Sequence, residues 1–206
     1  RVSVVVLSWN TRELLAACLR SLRAAAPEAG LGGCEIIVVD NASADGSADL
    51  VARDFPEVQL VRNPQNDGYA IGNNLGAARA RGQYLFLLNS DTELRQGALG
   101  TLLDFLDRHP GHAGCAPRLD RPDGTPQPSC KRFPTLGVAV FYDTLFERWF
   151  PRNRVLPRYE MRDFDHTSSR DVDQPPGAAL PLNVSVTVLR AKSQAHCRAT
   201  VATHGP

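Results

Sequence analysis

The sequence predicts an α/β protein built on an open, mostly parallel sheet flanked by helices. Short runs rich in Val, Ile and Leu recur at Val2–Ser8, Glu35–Asp40, Val58–Val61 and Gln83–Asn89, as expected of strands buried on both faces. Between them lie apolar residues at helical spacing, and strands alternating with helices imply parallel crossovers. Polar residues gather where the runs end, at Ser8-Trp9-Asn10, Asp40-Asn41 and Asn89-Ser90-Asp91.

After the first strand, Asn10-Thr11-Arg12-Glu13 has the form of a capping box, Asn10 closing the first helical amides and Glu13 reaching back. Leu14, Leu15, Cys18, Leu19 and Leu22 follow as one apolar stripe, and Pro27, Gly30, Gly32 and Gly33 end the helix. The second strand closes on Asp40; Asn41–Ser47 is a turn and Ala48–Phe55 a second helix. The third strand leads into a polar loop, Asn63–Gly68, and a helix over Ala70–Arg81 ended by Gly82. The fourth strand ends on Asn89, and a helix over Gly97–His109 stops at Pro110-Gly111. Beyond it Pro122-Asp123-Gly124-Thr125 is a hairpin-type turn. Residues 133–170 mix aromatics, Pro and both charges without a period, and no internal repeat is seen.

A chain of 206 residues has the size of one domain with an ample core. Its 43% hydrophobic and 22% charged content is that of an ordinary globular protein. The net charge of +1 gives no support to a nucleic-acid surface. No apolar run approaches the ~20 residues needed to cross a bilayer. The chain opens on Arg1 in what reads as a strand and not a signal peptide, and without Met, so a few preceding residues are expected. Cys18, Cys34, Cys115, Cys130 and Cys197 are widely spaced, with no C-x-x-C pair, and read as reduced thiols of a cytosolic protein.

Three polar clusters at the carboxyl ends of strands mark a ligand site, because open α/β sheets bind ligands outside that edge. No G-x-G-x-x-G follows the first strand and no P-loop is present, which argues against hydride transfer and P-loop phosphoryl transfer. Asp91, leaving a hydrophobic strand for a turn, can hold a divalent cation with positions open for diphosphate oxygens. Equally, Asp91 or Ser90 can cap a helix near Leu94.

Three strings sharpen this. They are Val38-Val39-Asp40-Asn41-Ala42-Ser43 with Asp45-Gly46-Ser47, Asn63-x-x-Asn66-x-Gly68-Tyr69-Ala70-x-x-Asn73-Asn74-x-Gly76, and Leu88-Asn89-Ser90-Asp91-Thr92. Together they resemble glycosyltransferase family 2, and within it bacterial rhamnosyltransferase-like members. The resemblance runs from Val2 to Asp120, and more weakly through Gln127–Pro134 to Gly177-Ala178-Ala179-Leu180.

The resemblance implies a GT-A type nucleotide-diphospho-sugar transferase fold. Residues 1–120 form its nucleotide-sugar-binding half, 121–180 a partial acceptor-side region of the same domain, and 181–206 an atypical tail. Asp40 matches the acid that hydrogen-bonds the donor's pyrimidine. Ser8, Trp9 and Asn10 match the loop lining the nucleotide, though Trp9 can instead be a core aromatic. Asn66, Gly68 and Asn73 match the loop and helix start beside the donor, or simply make a turn and helix entry. Gly68 there supplies a positive φ or a close backbone approach. Asn89 stands where the family's D-x-D motif has its first acid, and Asp91 is the acid expected to contact Mg²⁺ or Mn²⁺. Asp45 reads more as a helix cap than as a ligand contact.

The implied reaction is inverting transfer of a sugar, rhamnose from dTDP-rhamnose (or the sugar of a UDP donor), to a cell-envelope glycan or polyprenyl-linked acceptor. The implied location is cytoplasmic, peripheral at the inner face of the plasma membrane. A general base, typically worth ~10²–10⁴ in rate, must take the acceptor's proton. The family places it in an acidic E-x-x-D-like motif after the Gly177–Leu180 segment, but Pro181–Pro206 contains no Asp or Glu. Asp171 and Asp173 remain as surrogate candidates or as solvated surface acids. His166, His196 and His204 titrate in a useful range but sit in no motif and are expected at the surface.

Two readings therefore stand: a metal-assisted glycosyltransferase, and a catalytically incomplete nucleotide-sugar-binding domain lacking the base. A nucleotidyltransferase is disfavoured because no glycine-rich triphosphate loop follows the first strand. Residues 181–206 are read as a truncation or frameshift product. Sequencing the encoding DNA checks this: an acidic motif is expected in an alternative frame, and an intact frame with no such motif in either alternative counts against it.

Overall fold

The computed structural model describes residues 1–150, 152–166, 168–175, 177–183 and 199–202. Strand β1 (Val2–Ser8) is followed by α1 (Arg12–Ala25) and a 3-10 segment (Ala26–Gly32). Then come β2 (Cys34–Asn41), α2 (Ser47–Asp54), β3 (Gln59–Asn63), α3 (Gly68–Ala77), β4 (Tyr84–Asn89), α4 (Ala98–Arg108) and β5 (Gly114–Pro117). Three short helices, α5 (Leu136–Phe141), α6 (Leu145–Trp149) and α7 (Val155–Tyr159), precede β6 (Arg170–Val172), β7 (Ala179–Asn183) and β8 (Ala199–Ala202).

The sheet runs β3-β2-β1-β4-β7-β5-β8-β6. Its first four strands are parallel, and β7 enters antiparallel between β4 and β5. The β-branched run of β1 is buried on both faces. Val2, Val4 and Val6 join one cluster with Leu15, Leu19 and Leu22 of α1, while Val5, Ile37 and Val39 form a second. Each fully buried leucine of α1 stabilises the fold by roughly 1.5–3 kcal/mol.

The expected capping box does not form. Asn10 takes a positive φ of 54° and its Oδ1 accepts from the amide of Ala44. The first turn of α1 is closed from elsewhere in the chain: Arg12 N–H donates to Asp45 Oδ2 at 2.9 Å. Asp45 Oδ1 also accepts from Ser47 N–H at 3.0 Å, so one carboxylate caps α1 and α2 together.

Helix α3 ends at Ala77, short of the expected Arg81. Arg79 and Ala80 turn back through i→i+3 bonds to Gly76 and Ala77, and the amides of Arg81 and Gly82 are drawn to Ser3 Oγ. Strand β3 extends to Asn63, expected in the loop, because its last residue stays in register with Asn41.

The Arg121–Thr125 turn forms as expected, with Arg121 N–H donating to Thr125 O and Gly124 at φ 83°. His166 is a correction: expected at the surface, it is 4% exposed and packs on Phe164 with ring centroids 4.3 Å apart. His196 and His204 lie outside the described residues. Cys18, Cys34, Cys115 and Cys130 are free thiols. Of the atypical tail, residues 181–183 complete β7 and 199–202 form β8; the remainder lies outside the described residues.

Gly76 lets α3 lie against the sheet. A Cβ there would overlap Val5 Cγ1 and approach Val39 Cγ2 to 3.1 Å. Gly76→Ala should therefore cost about 1–3 kcal/mol, as overpacked cores do, read by denaturant unfolding with an unchanged m-value.

Candidate functional site

The parallel register lines up the strand ends. Ser8 pairs with Asp40, Leu7 with Asn89, and Asn41 with Asn63. Asp40 and Asp91 therefore share one edge, with only β1 between their strands, a lateral offset of roughly 9–10 Å at normal strand spacing.

Asp40 is fixed. It is 4% exposed, and its Oδ2 accepts the amide of Ser43 at 3.1 Å, while its Oδ1 has no hydrogen-bond partner. An unsatisfied buried acceptor is costly and invites an explanation such as a ligand donor. Beside it the Ser8, Thr11 and Ser90 hydroxyls form a chain with 2.9 Å links, tying the end of β1 to the end of β4. Trp9 is not a core aromatic: it is 55% exposed where β1 ends. Asn10 holds the Ser43-Ala44 turn from both sides, its N–H donating to Ser43 Oγ at 2.9 Å.

The third cluster is built from amides. Asn41, 2% exposed, donates to Asn66 Oδ1 at 2.6 Å and accepts from Asn63 Nδ2 at 2.7 Å. Asn63 also donates to Asp67, and Asn66 Oδ1 receives the amide of Gly68. Gly68 sits at φ 80° with open space around an added Cβ, so it supplies the left-handed turn and not a close approach. Asn73 is buried and donates to Tyr69 O, which anchors the first turn of α3. The sequence marks Asn41 as part of a strand-end cluster and Asn63 as part of a family string, but it assigns neither them nor Thr11 a role in building the site; the paired positions of Asn41 and Asn63 at the ends of neighbouring strands were the available signal.

Asp91 differs in kind. It is exposed, and its carboxylate has a single weak contact, from Thr92 Oγ1 at 3.5 Å. No helix starts at Leu94, whose amide donates to Ser21 Oγ. Helix α4 starts later and its first amides go to Glu28. Asp91 thus has no capping duty. Burial first, then the negative charges of Asp91 and Glu93, push the Cys18 thiol up to about 12, which shows a negative field at this end of β4.

Asn89 and Asp91 also line a cavity of about 750 Å³, together with Arg95, Arg118 and Asp120. Asp120 is nearly buried and pairs with Arg118 at 2.9 Å and Arg95 at 3.1 Å. The Gly177-Ala178 strap crosses the rim, Ala178 O accepting from Asn89 N–H and Gly177 O from the Tyr69 hydroxyl. Asp91 is thus common to the rim and to the cavity lining.

Asp171 and Asp173 are not brought to this rim. Asp171 lies on β6, the outermost strand, 3.5 Å from His112 Nε2, and Asp173 accepts the Phe133 amide. Four strand spacings separate β6 from β4.

Among known proteins, a family model described as Glycosyl transferase family 2 matches residues 3–169. The chain belongs to glycosyltransferase family 2. It is 26% identical over 156 residues to an N-acetylglucosaminyl-diphospho-decaprenol L-rhamnosyltransferase of Mycobacterium tuberculosis, covering 70% of this chain and 50% of that protein. It is 31% identical over 107 residues to the succinoglycan biosynthesis protein ExoO of Rhizobium meliloti, covering 52% and 30%. The chain thus spans about half the length of the rhamnosyltransferase it matches. In structure it is similar to the mannosyltransferase PcManGT from Pyrobaculum calidifontis, solved with GDP-Man and Mn²⁺, at TM-score 0.53 and 24% identity over 60% of this chain and 36% of that one. That likeness shows the GT-A fold. No helix among the described residues is long and apolar enough to cross a membrane.

The double cap carries a pH dependence. Burial raises the Asp45 carboxyl, but the Ser47 hydroxyl and the amides of Arg12 and Ser47 outweigh it and hold it below its ordinary value. A depressed folded-state value means the stabilisation is complete above the unfolded value of about 3.9 and is lost as pH falls through the lower folded value. Asp45→Asn should be less stable at neutral pH and lose less stability on acidification, measured by thermal unfolding across the acid range.

Proposed function

We propose that this chain carries the donor site of an inverting glycosyltransferase that moves a sugar from a pyrimidine nucleotide sugar to a cell-envelope glycan or lipid-linked acceptor. dTDP-rhamnose is the favoured donor, on the likeness to the mycobacterial rhamnosyltransferase. The observation that carries the reading is the shared edge of a fixed, half-unsatisfied Asp40 and an exposed Asp91.

In this reading Asp40 Oδ1 accepts a hydrogen bond from the pyrimidine ring, and Ser8, Trp9 and Asn10 line the nucleotide. Asn66, Gly68 and Asn73 shape the wall beside it, and Asn89 holds the ribose or assists Asp91 through its amide oxygen. Among the described residues no three His, Cys, Asp or Glu side chains cluster to hold a metal by themselves. Asp91 fits a Mg²⁺ or Mn²⁺ ion that arrives with a diphosphate, since such ions often bind through one or two carboxylates plus phosphate oxygens. When bound, the ion supplies charge neutralisation for the departing diphosphate. The acceptor enters from the Arg95–Arg118–Asp120 cavity, which Asp91 also lines.

A second reading, donor binding without turnover, draws support from the placement of Asp171 and Asp173 away from the rim. The two share one donor site and differ in the last step.

With dTDP and Mg²⁺ or Mn²⁺ the melting temperature should rise, by linkage to ligand binding. The rise should shrink with chelator or in Asp91→Ala, and vanish in Asp40→Ala. Equal shifts in all of these samples overturn the metal and base assignments. Release of dTDP from dTDP-rhamnose with a lipid-linked acceptor then separates enzyme from binding domain.

A further inference from the structure

Helices α5 and α6 display a surface that the donor site does not use. Leu136 is 89% exposed, Leu145 62%, Trp149 67% and Phe150 56%, with Val140 and Phe146 more than two-fifths exposed. The rings form one cluster: Phe141 meets Phe146 and Phe150 at 6.4 Å, and Phe146 meets Trp149 at 5.8 Å. A contiguous exposed apolar patch marks an interaction site.

The charge around it is one-sided. Residues 131–162 hold seven Lys or Arg and three Asp or Glu, whereas the rest of the chain holds 16 and 19. Lys131 lies over the Tyr142 and Tyr159 rings, and Arg132 and Arg162 have acidic neighbours. Arg148, Arg152, Arg154 and Arg158 are exposed and form no ion pair among the described residues.

We propose that this face docks on an anionic lipid bilayer. Aromatic rings settle at the headgroup level, aliphatic side chains reach the acyl boundary, and arginines beside them meet lipid phosphates. The cation excess sets the choice of partner. A second copy of this chain would bring four arginines, with no ion pair among the described residues, against four more. A nucleic acid would leave Leu136, Val140 and Leu145 without a partner. The start of the basic segment pairs with the chain ahead of the strap: Lys131 bridges Gln174, three residues before Gly177, whose carbonyl meets Tyr69. The docking claim itself does not depend on the donor assignment.

The test is flotation of the whole chain with phosphatidylcholine vesicles, with and without phosphatidylglycerol, and without nucleotide. Binding should require phosphatidylglycerol and fall at least tenfold at about 1 M salt, where the Debye length is about 3 Å. Trp149→Ser with Phe150→Ser, and separately Arg148, Arg152, Arg154 and Arg158→Gln, should each weaken binding at least tenfold with the melting temperature unchanged. Trp149 emission should shift to the blue on vesicles in a Trp9→Phe background. Should a variant fail to fold, the lipid and salt dependence of the wild-type chain decides alone. No flotation, equal flotation on neutral vesicles, dimerisation abolished by the same substitutions, or displacement of the chain from vesicles by a single-stranded oligonucleotide overturns the proposal.

Discussion

The register of β1 against its two neighbours is the constraint on which the site depends. A parallel strand buried on both faces cannot slip by one residue without exchanging its two clusters, Val2-Val4-Val6 and Val5 with Ile37 and Val39. Locked in this way, β1 sets Ser8 beside Asp40 and Leu7 beside Asn89. The polar residues at the strand ends then meet because the apolar residues behind them have one arrangement that fills both faces.

The rim so formed has a stiff side and a loose side. On the β2–β3 side nearly every polar atom is committed: Asn41 to Asn63 and Asn66, Asn10 to the Ser43-Ala44 turn, Asp45 to two helix ends. Asp40 Oδ1, the exception, stands out because its neighbours are satisfied. On the β4 side Asp91 projects from a turn with little to hold it. The difference suits the two tasks proposed for Asp40 and Asp91. Recognising a flat base needs donors and acceptors fixed in advance, since ordering them on binding would cost affinity. A carboxylate proposed to meet an ion arriving with a diphosphate gains from freedom to adjust.

The strands and helices of the first 110 residues were legible because local and long-range preferences agree there. Val, Ile and Leu runs give strands, and Leu15, Leu19 and Leu22 face the core as their spacing implies. Misreadings arose where a side chain had a competing partner far along the chain. Asn10 has the sequence of a cap, yet the amide of Ala44 claims its oxygen, and Asp45 takes over the cap across 33 residues. Ser3 Oγ likewise shortens α3 by capturing amides at 81 and 82. His166 is a separate case: it sits in a left-handed backbone at φ 59° and packs on Phe164 two residues earlier, a local contact that no periodic pattern marks. A one-dimensional pattern carries no term for such contacts. The three strings named in the sequence do fall together at the ends of β2 and β4 and the start of α3, where strand register and side-chain hydrogen bonds bring Asp40, Asn41 and Asn66 to one edge.

Net charge illustrates the same point at larger scale. A total of +1 describes a nearly neutral chain, but it is the sum of an acidic majority and a basic segment between residues 131 and 162. That segment has no helical or strand period because its apolar residues do not turn inward to one core. Val138 and Leu156 are buried, while Leu136, Leu145, Trp149 and Phe150 face out. Loss of periodicity there reflects apolar residues divided between the folded domain behind the segment and the exposed face in front of it. A chain that placed these rings inward would gain core at the expense of a face where exposed apolar side chains lie close in sequence to arginines of the same segment that form no ion pair among the described residues.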